Sequence, residues 1–516
     1  MMSLLFGVLH GWSIANPWSG QALWWLQLIA MTWLVGRLIR TESPKQALRV
    51  GALFSLGWFV SSLWWLYTSM HTYGGLEAPW AALAVVALCS LLASFYALVV
   101  AAFVVLKRGD KPWLDALLFA ALWLLAELVR ATFLTGLPWS AVGYAHIDSP
   151  LIGAAPWLGV YGLGALAAWV AALLVLTRSC LLKIFIVLIL CVKSLMMPSP
   201  QAAPDKPSQP TLPASLTVRL LQGNIPQNEK FDLKTGVDAA LSWYKEGLLE
   251  AVRDGVDLVV APETAIPLLP QQLPLHYWPS LMDKFGDQAG RERKTVALVG
   301  IVLGDYERGY TNSVVSLESD LSRSYRYDKH HLVPFGEFIP PLFRWFTDLM
   351  NIPLGDFSPG ALAQKSFIHA GFKLAPNICY EDLFGEELAL RFADAEQAPT
   401  AFVNLSNIGW FGNGIAIDQH LNISRMRAIE FDRPMIRATN TGATAIIDHR
   451  GVVTHRLARS TRGVLTGHVE GRSTVTPYAR WASRFGLQPL WLLACGLIAF
   501  SLMSRKYNPI PSYRAR

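Results

Sequence analysis

Three side chains in this sequence could share a proton and a charge, and each closes or follows a short run that reads as a strand. Glu263 follows Leu258-Val259-Val260-Ala261 and stands between Pro262 and Thr264. Lys329 follows Tyr325-Arg326-Tyr327-Asp328 and leads into His330-His331-Leu332-Val333-Pro334-Phe335-Gly336-Glu337. Cys379 ends Leu374-Ala375-Pro376-Asn377-Ile378 and precedes Tyr380-Glu381. A free thiol, with a pKa near ~8.5, is mostly protonated at neutral pH. A carboxylate can take its proton, and a fixed ammonium can stabilise the thiolate or a developing oxyanion. Taken singly, each residue also has a structural reading: a helix N-terminal carboxylate, a surface charge, and a small core hydrophobe.

Cys379 is the one cysteine away from the long apolar runs that hold or adjoin Cys89, Cys180, Cys191 and Cys495. It has no soluble thiol for a disulfide and no second thiol for a zinc site. The pair His330-His331 would point its rings apart, so no metal site is expected there. No phosphate-cradling loop and no internal repeat is present.

The elements around these residues alternate between strand-like and helix-like patterns. Residues 216–221, 256–261, 295–303, 311–317 and 372–379 read as strands, as do 400–405, 435–439, 444–448 and 464–469. Helical spacing covers 237–252, 383–392 and 418–431. Mixed elements over about 270 residues imply an α/β or α+β sandwich with a substantial core. The stretch 198–213, rich in Pro, Ser, Ala and Gln, reads as a linker before it.

The remainder is of another kind. The chain has 516 residues, 53% hydrophobic and 16% charged, with 20 tryptophans. Soluble domains carry about 25% charged residues, so an integral membrane protein is expected. Apolar runs near the ~20 residues needed to span a bilayer fall at 20–36, 50–69, 79–106, 113–134, 151–177, 184–197 and 487–504, with a shorter one at 4–14. That predicts about eight spans: seven in a membrane domain at 1–197, a catalytic domain at 214–485, a last helix at 486–504 and a tail at 505–516. Lys and Arg cluster in alternate loops, at Arg37–Arg49, Lys107–Lys111, Arg178–Lys183 and after Arg505. By the positive-inside rule, both termini are cytoplasmic and the large domain is extracytoplasmic. Topology therefore explains the net charge of +7 without nucleic acid. Within the spans, Glu127 and Arg130 can pair on one helix face, for structure or for lipid head groups. The Trp-rich stretches around Trp58–Trp65 and Trp139 fit either an interfacial belt or lipid binding.

The three motifs, in this order, resemble the nitrilase (carbon–nitrogen hydrolase) superfamily. Gln222-Gly223-Asn224-Ile225-Pro226-Gln227, Asn404-Leu405-Ser406-Asn407, Trp410-Phe411-Gly412, Arg433-Pro434 and Thr439-Asn440-Thr441-Gly442 fit the same domain. With its spans, the whole chain resembles the apolipoprotein N-acyltransferase family. The resemblance implies an αββα nitrilase-like sandwich on a multi-pass α-helical membrane domain, in the cell inner membrane and facing the periplasm. It implies Cys379 as nucleophile, Glu263 as proton acceptor and Lys329 as stabiliser of thiolate and oxyanion. Tyr380, through its N–H, Glu337 and Glu381 would support them. Phe231, Phe335, Trp410 and Phe411 would contact substrate or act as lids, in loops near 335–341 and 410–414.

The reaction implied moves an acyl chain from a membrane phospholipid, through a Cys379 thioester, to the α-amine of a diacylated apolipoprotein. No cofactor, metal or nucleic-acid partner is expected, and the chain is expected to be a monomer. The competing reading is a membrane-tethered amidase that passes the acyl group to water. Two departures stand out: Phe231 where the family often has Trp, and Ile408 where an Asp commonly follows Ser-Asn.

Overall fold

In the computed structural model, residues 1–196, 215–288, 290–318, 324–339 and 357–506 are described. The expected linker, residues 340–341 of the expected lid and the end of the tail lie outside them. The chain divides into two compact units, Met1–Trp64 with Leu83–Met197 and Phe485–Arg516, and Trp65–Ala82 with Pro198–Arg484.

The first unit is helical. Apolar helices occupy Met2–Trp12, Trp24–Ile39, Pro44–Leu63, Ala78–Leu106, Pro112–Thr132, Ala155–Leu176, Cys180–Met196 and Gln488–Lys506. They fall where the eight spans were expected, but the count of eight is not met by length. Among the described residues, three helices are long and apolar enough to cross a membrane, or up to five if each bent pair is one span. The 11-residue Met2–Trp12 rises only about 16 Å, roughly half of a bilayer core. The run expected at 50–69 is broken: its helix ends at Leu63 and resumes at Leu66, bent by 57°.

Inside this unit Glu127 and Arg130 do pair, at 2.8 Å and both 1% exposed. Arg130 spends four of its five N–H donors on the protein: on Glu127, the Tyr96 hydroxyl, and the carbonyls of Leu137 and Trp139. Tyr96 in turn donates to Glu127 at 2.7 Å. The pair ties a helix to the loop that follows it. Trp58 and Trp139 are buried, whereas Trp64 is exposed.

The second unit holds twelve strands among the described residues, in two six-stranded sheets. The first contains β1 (Leu216–Gln222), β2 (Leu258–Ile266), β3 (Val296–Asp305), β4 (Gly309–Leu317) and β5 (Arg326–Asp328). The second contains β6 (Phe367–His369), β7 (Phe372–Ile378), β8 (Ala401–Ser406), β9 (Met435–Thr439), β10 (Ala445–Ile447) and β11 (Val453–Arg456). Strand β12 (Gly463–Val469) returns to pair antiparallel with β1. The orders are β12-β1-β2-β3-β4-β5 and β11-β10-β9-β8-β7-β6. Each sheet has a parallel centre, β1-β2-β3 or β7-β8-β9, flanked by antiparallel strands.

The inner faces close on each other through Val218, Leu220, Val260 and Leu298 from one sheet and Leu374, Val403, Leu405 and Ile436 from the other. Helices cover the outer faces. Gly236–Asp254 and Tyr277–Gly286 pack Leu248, Ala251, Leu281 and Phe285 on the first sheet. The helix Ile415–Phe431 sets Phe431 against Phe402 of the second. Parallel central strands buried on both sides explain the unbroken apolar runs in the sequence.

Residues 65–82 pack into this unit. The Trp65 indole N–H donates to Gln419 Oε1 at 3.0 Å, and its ring lies 4.3 Å from that of Phe411. Tyr73 meets Trp410 edge-on at 5.9 Å.

Candidate functional site

Parallel strands leave their C-terminal ends on one edge, and the three residues singled out by the sequence arrive there from different strands. Glu263 leaves β2 at a bulge, Lys329 follows β5 directly, and Cys379 begins a tight 3-10 turn, Cys379–Leu383, after β7. Cys379 has φ +52°, a left-handed conformation that side chains other than Gly rarely adopt. Strain of this kind costs of order 1–3 kcal/mol and persists only where surrounding structure holds it.

Lys329 is 1% exposed and lies between two carboxylates, 3.2 Å from Glu263 Oε1 and 2.8 Å from Glu337 Oε2. Burial opposes its charge, but Glu263 and Glu337 outweigh burial and raise its pKa above the ordinary lysine range. The Asn312 amide donates 2.7 Å bonds to both Glu263 and Glu337. The Asn407 N–H donates to the second Glu263 oxygen, also at 2.7 Å. Glu337 further accepts from the Val333 N–H. Cys379 shares this buried cluster: burial first, then the Glu263 charge, push its thiol up to about 12, while Lys329 pulls it down. The resting sulfur is therefore a thiol at neutral pH, with an acceptor and a cation in its field.

Glu381 is held by the chain around Lys329 and feels its charge. Its carboxylate accepts from the Ile378 N–H at 2.6 Å, the His330 N–H at 2.7 Å, the His331 N–H at 3.3 Å and the Tyr327 hydroxyl at 2.8 Å. It clamps the end of β7 to the chain on either side of Lys329. Burial raises its pKa, and these donors oppose that rise. Tyr380 is buried, its ring against His331 and Phe384. Of the expected lid residues, Trp410 and Phe411 pack on Tyr73 and Trp65, and Phe335 is half-buried in a turn where its N–H bonds to Phe338 O. Phe231 is half-buried beside Lys230.

Sequence reasoning missed four contributors. One is Asn312, a buried amide inside the apolar strand β4. Another is Lys230, 2% exposed, which donates to Glu263 O and Thr264 Oγ1. The others are His420 and Arg437, both 0% exposed. Arg437 donates to His420 Nδ1 at 2.7 Å, and His420 Nε2 donates to the carbonyl of Cys379 at 3.1 Å. The signal was available at Arg437, an arginine in the middle of the otherwise apolar Met435-Ile436-Arg437-Ala438, since a buried charge needs a partner. Among the described residues no group of His, Cys, Asp and Glu could hold a metal ion.

Residues 7–173 match the family model described as apolipoprotein N-acyltransferase N-terminal domain, and residues 217–479 match that described as carbon-nitrogen hydrolase. An apolipoprotein N-acyltransferase of Verminephrobacter eiseniae is 52% identical, over 94% of this chain and 92% of its own length. Those of Ralstonia nicotianae and Bordetella bronchiseptica are 43% and 39% identical, over 96% and 97% of this chain and 92% and 96% of their own lengths. Two family models in succession along the chain, and relatives aligned over nearly the full length, place this chain in the apolipoprotein N-acyltransferase family.

Proposed function

We propose that this chain transfers an acyl chain from a membrane phospholipid to the α-amine of a diacylated apolipoprotein, with the acyl group carried as a thioester on Cys379. The observation that supports this most directly is the buried constellation itself. A thiol on a strained turn shares a buried cluster with Glu263 and with an ammonium held by two carboxylates.

In the first half-reaction Glu263 takes the thiol proton as sulfur attacks the ester carbonyl. Lys329 stabilises the tetrahedral oxyanion, with the Tyr380 N–H as a second donor. Collapse breaks the ester C–O bond, and the lysophospholipid oxygen leaves with the proton from Glu263. In the second half the acceptor enters as the neutral amine, its nitrogen attacks the thioester, and Glu263 takes the N–H proton. Collapse breaks the C–S bond and returns that proton to sulfur. Glu337 keeps Lys329 charged and in place, and Glu381 fixes the turn.

The acyl-enzyme must outlast water, which favours a buried, apolar-walled nucleophile. Both substrates carry acyl chains, and removing these from a bilayer costs about 0.8 kcal/mol per CH₂; apolar helices in the same chain suit such substrates. The alternation of Lys and Arg loops supports cytoplasmic termini and a periplasmic catalytic unit in the inner membrane.

The test is direct. Incubation with a radiolabelled phospholipid and no acceptor should leave hydroxylamine-labile label on Cys379, and adding a diacylated lipopeptide should chase it into triacylated product. Full transfer by a folded Cys379→Ser variant would sink the assignment; release of free fatty acid alone would favour the amidase-like reading.

A further inference from the structure

The Glu263 carboxylate leaves β2 at a bulge, and a buried lysine grips that bulge. Leu258–Ala261 pair in register with Val296–Val299, after which the register slips until Ile266 faces Ile301. Four residues of β2 thus stand against Gly300 alone. A Cβ at Gly300 would collide with Pro262 O and come within 2.8 Å of Glu263 Cα and Thr264 N. Thr264 sits at φ +47°, an outlier for a β-branched residue.

This conformation needs an external hold. Lys230 Nζ donates to Glu263 O at 3.1 Å and to Thr264 Oγ1 at 2.5 Å. Its side chain is 2% exposed. Both acceptors are neutral oxygens, an expensive environment for a buried ammonium. Burial holds its pKa down to about 7, against the upward pull of Glu263 and Cys379.

We propose that Lys230 is a positioning residue for Glu263: by clamping Glu263 O and Thr264 Oγ1 it holds the bulge that turns the carboxylate toward Lys329, Asn312 and the thiol. The proposal rests on reading Glu263 as the proton acceptor. It predicts a defect in the chemical step and none in donor binding.

The full-length chain is assayed in mixed micelles of detergent and phosphatidylethanolamine with a diacylated lipopeptide, and active sites are counted by thioester burst. Lys230→Met is expected to lower kcat per active site about 100-fold, the scale of a misplaced catalytic group, with KM for phospholipid unchanged. Thr264→Val, which removes one acceptor of the clamp, should show the same split to a smaller degree. Wild-type kcat in either folded variant overturns the proposal, as does a loss confined to KM or to the fraction folded. If Lys230→Met does not fold, Thr264→Val decides alone. Cys379→Ser and Glu263→Gln are measured alongside. Activity in those two would refute the site assignment itself, whereas their inactivity beside an active Lys230→Met refutes only the clamp.

Discussion

His420 gives the sharpest test of how the nucleophile is held. An arginine only donates, so the 2.7 Å contact from Arg437 makes His420 Nδ1 an acceptor and leaves the proton on Nε2, which donates to Cys379 O. A second proton on the ring would face the guanidinium in a fully buried setting. Burial, and then Arg437, accordingly push the His420 pKa well below 6.5. The unfolded chain takes up a proton near pH 6.5 that the folded chain refuses, so stability falls as pH drops below that value. Between about pH 7.5 and 5.5 this one group removes stability on the order of 1 kcal/mol.

His420→Gln can keep both hydrogen bonds, with its amide N–H toward Cys379 O and its carbonyl toward Arg437, but it cannot titrate. Chemical unfolding of the full chain in detergent at the two pH values should show the variant losing less stability than wild type on acidification, by on the order of 1 kcal/mol. His369 and His449, whose pKa values are also lowered by burial, act equally in both proteins and cancel. His420→Leu strands the Cys379 carbonyl and a guanidinium N–H, and should cost about 3 kcal/mol at neutral pH, with slower thioester formation. Equal pH slopes in wild type and His420→Gln would refute the reasoning.

Glu263→Gln should separate acidity from catalysis. Removing the carboxylate charge lowers the Cys379 pKa, so alkylation at about pH 8 should be faster than in wild type, in a background lacking the other four cysteines. Acyl transfer should fall by about 10²-fold or more; slower alkylation would contradict the electrostatics. Glu381→Ala removes the acceptor for three backbone N–H groups and a phenol, and should cost about 3 kcal/mol. An unchanged melting temperature would show the clamp to be dispensable. Gly300→Ala should displace the β2 bulge and lower turnover about 100-fold with near-native circular dichroism, so wild-type turnover would refute the steric argument.

The strands that carry the site were legible because parallel central strands are buried on both faces and read as apolar runs. The expected strand at 435–439 is β9 itself, and that at 216–221 is β1 short of one residue. Strand β11 was not foreseen, since its side chains are largely exposed and show no apolar alternation. The helix expected at 383–392 is broken into short turns around Gly385–Ala389, because the chain there serves the Cys379 turn. Asn312, His420 and Arg437 could not be assigned roles from the sequence. Their partners lie 49, 41 and 17 residues away, and only packing of strand on strand and helix on sheet brings them together. Apolar length also misled at 50–69, since hydropathy does not register the bend between Leu63 and Leu66.

The second carboxylate gives Lys329 a partner that the proton movement leaves in place. At rest Glu263 and Glu337 carry −2 against +1 on Lys329, and the thiol is neutral, so this part of the site holds −1. When Glu263 takes the thiol proton and an oxyanion forms, the charges are 0 on Glu263, −1 on Glu337, +1 on Lys329 and −1 on the oxyanion, again −1. The chemical step therefore moves a negative charge without creating one. With Glu263 as its sole carboxylate partner, Lys329 would have only the oxyanion to pair with once Glu263 is protonated. Glu337, at 2.8 Å, keeps it paired throughout. A site that never changes its net charge can remain dry through both half-reactions, and dryness is what a thioester intermediate requires.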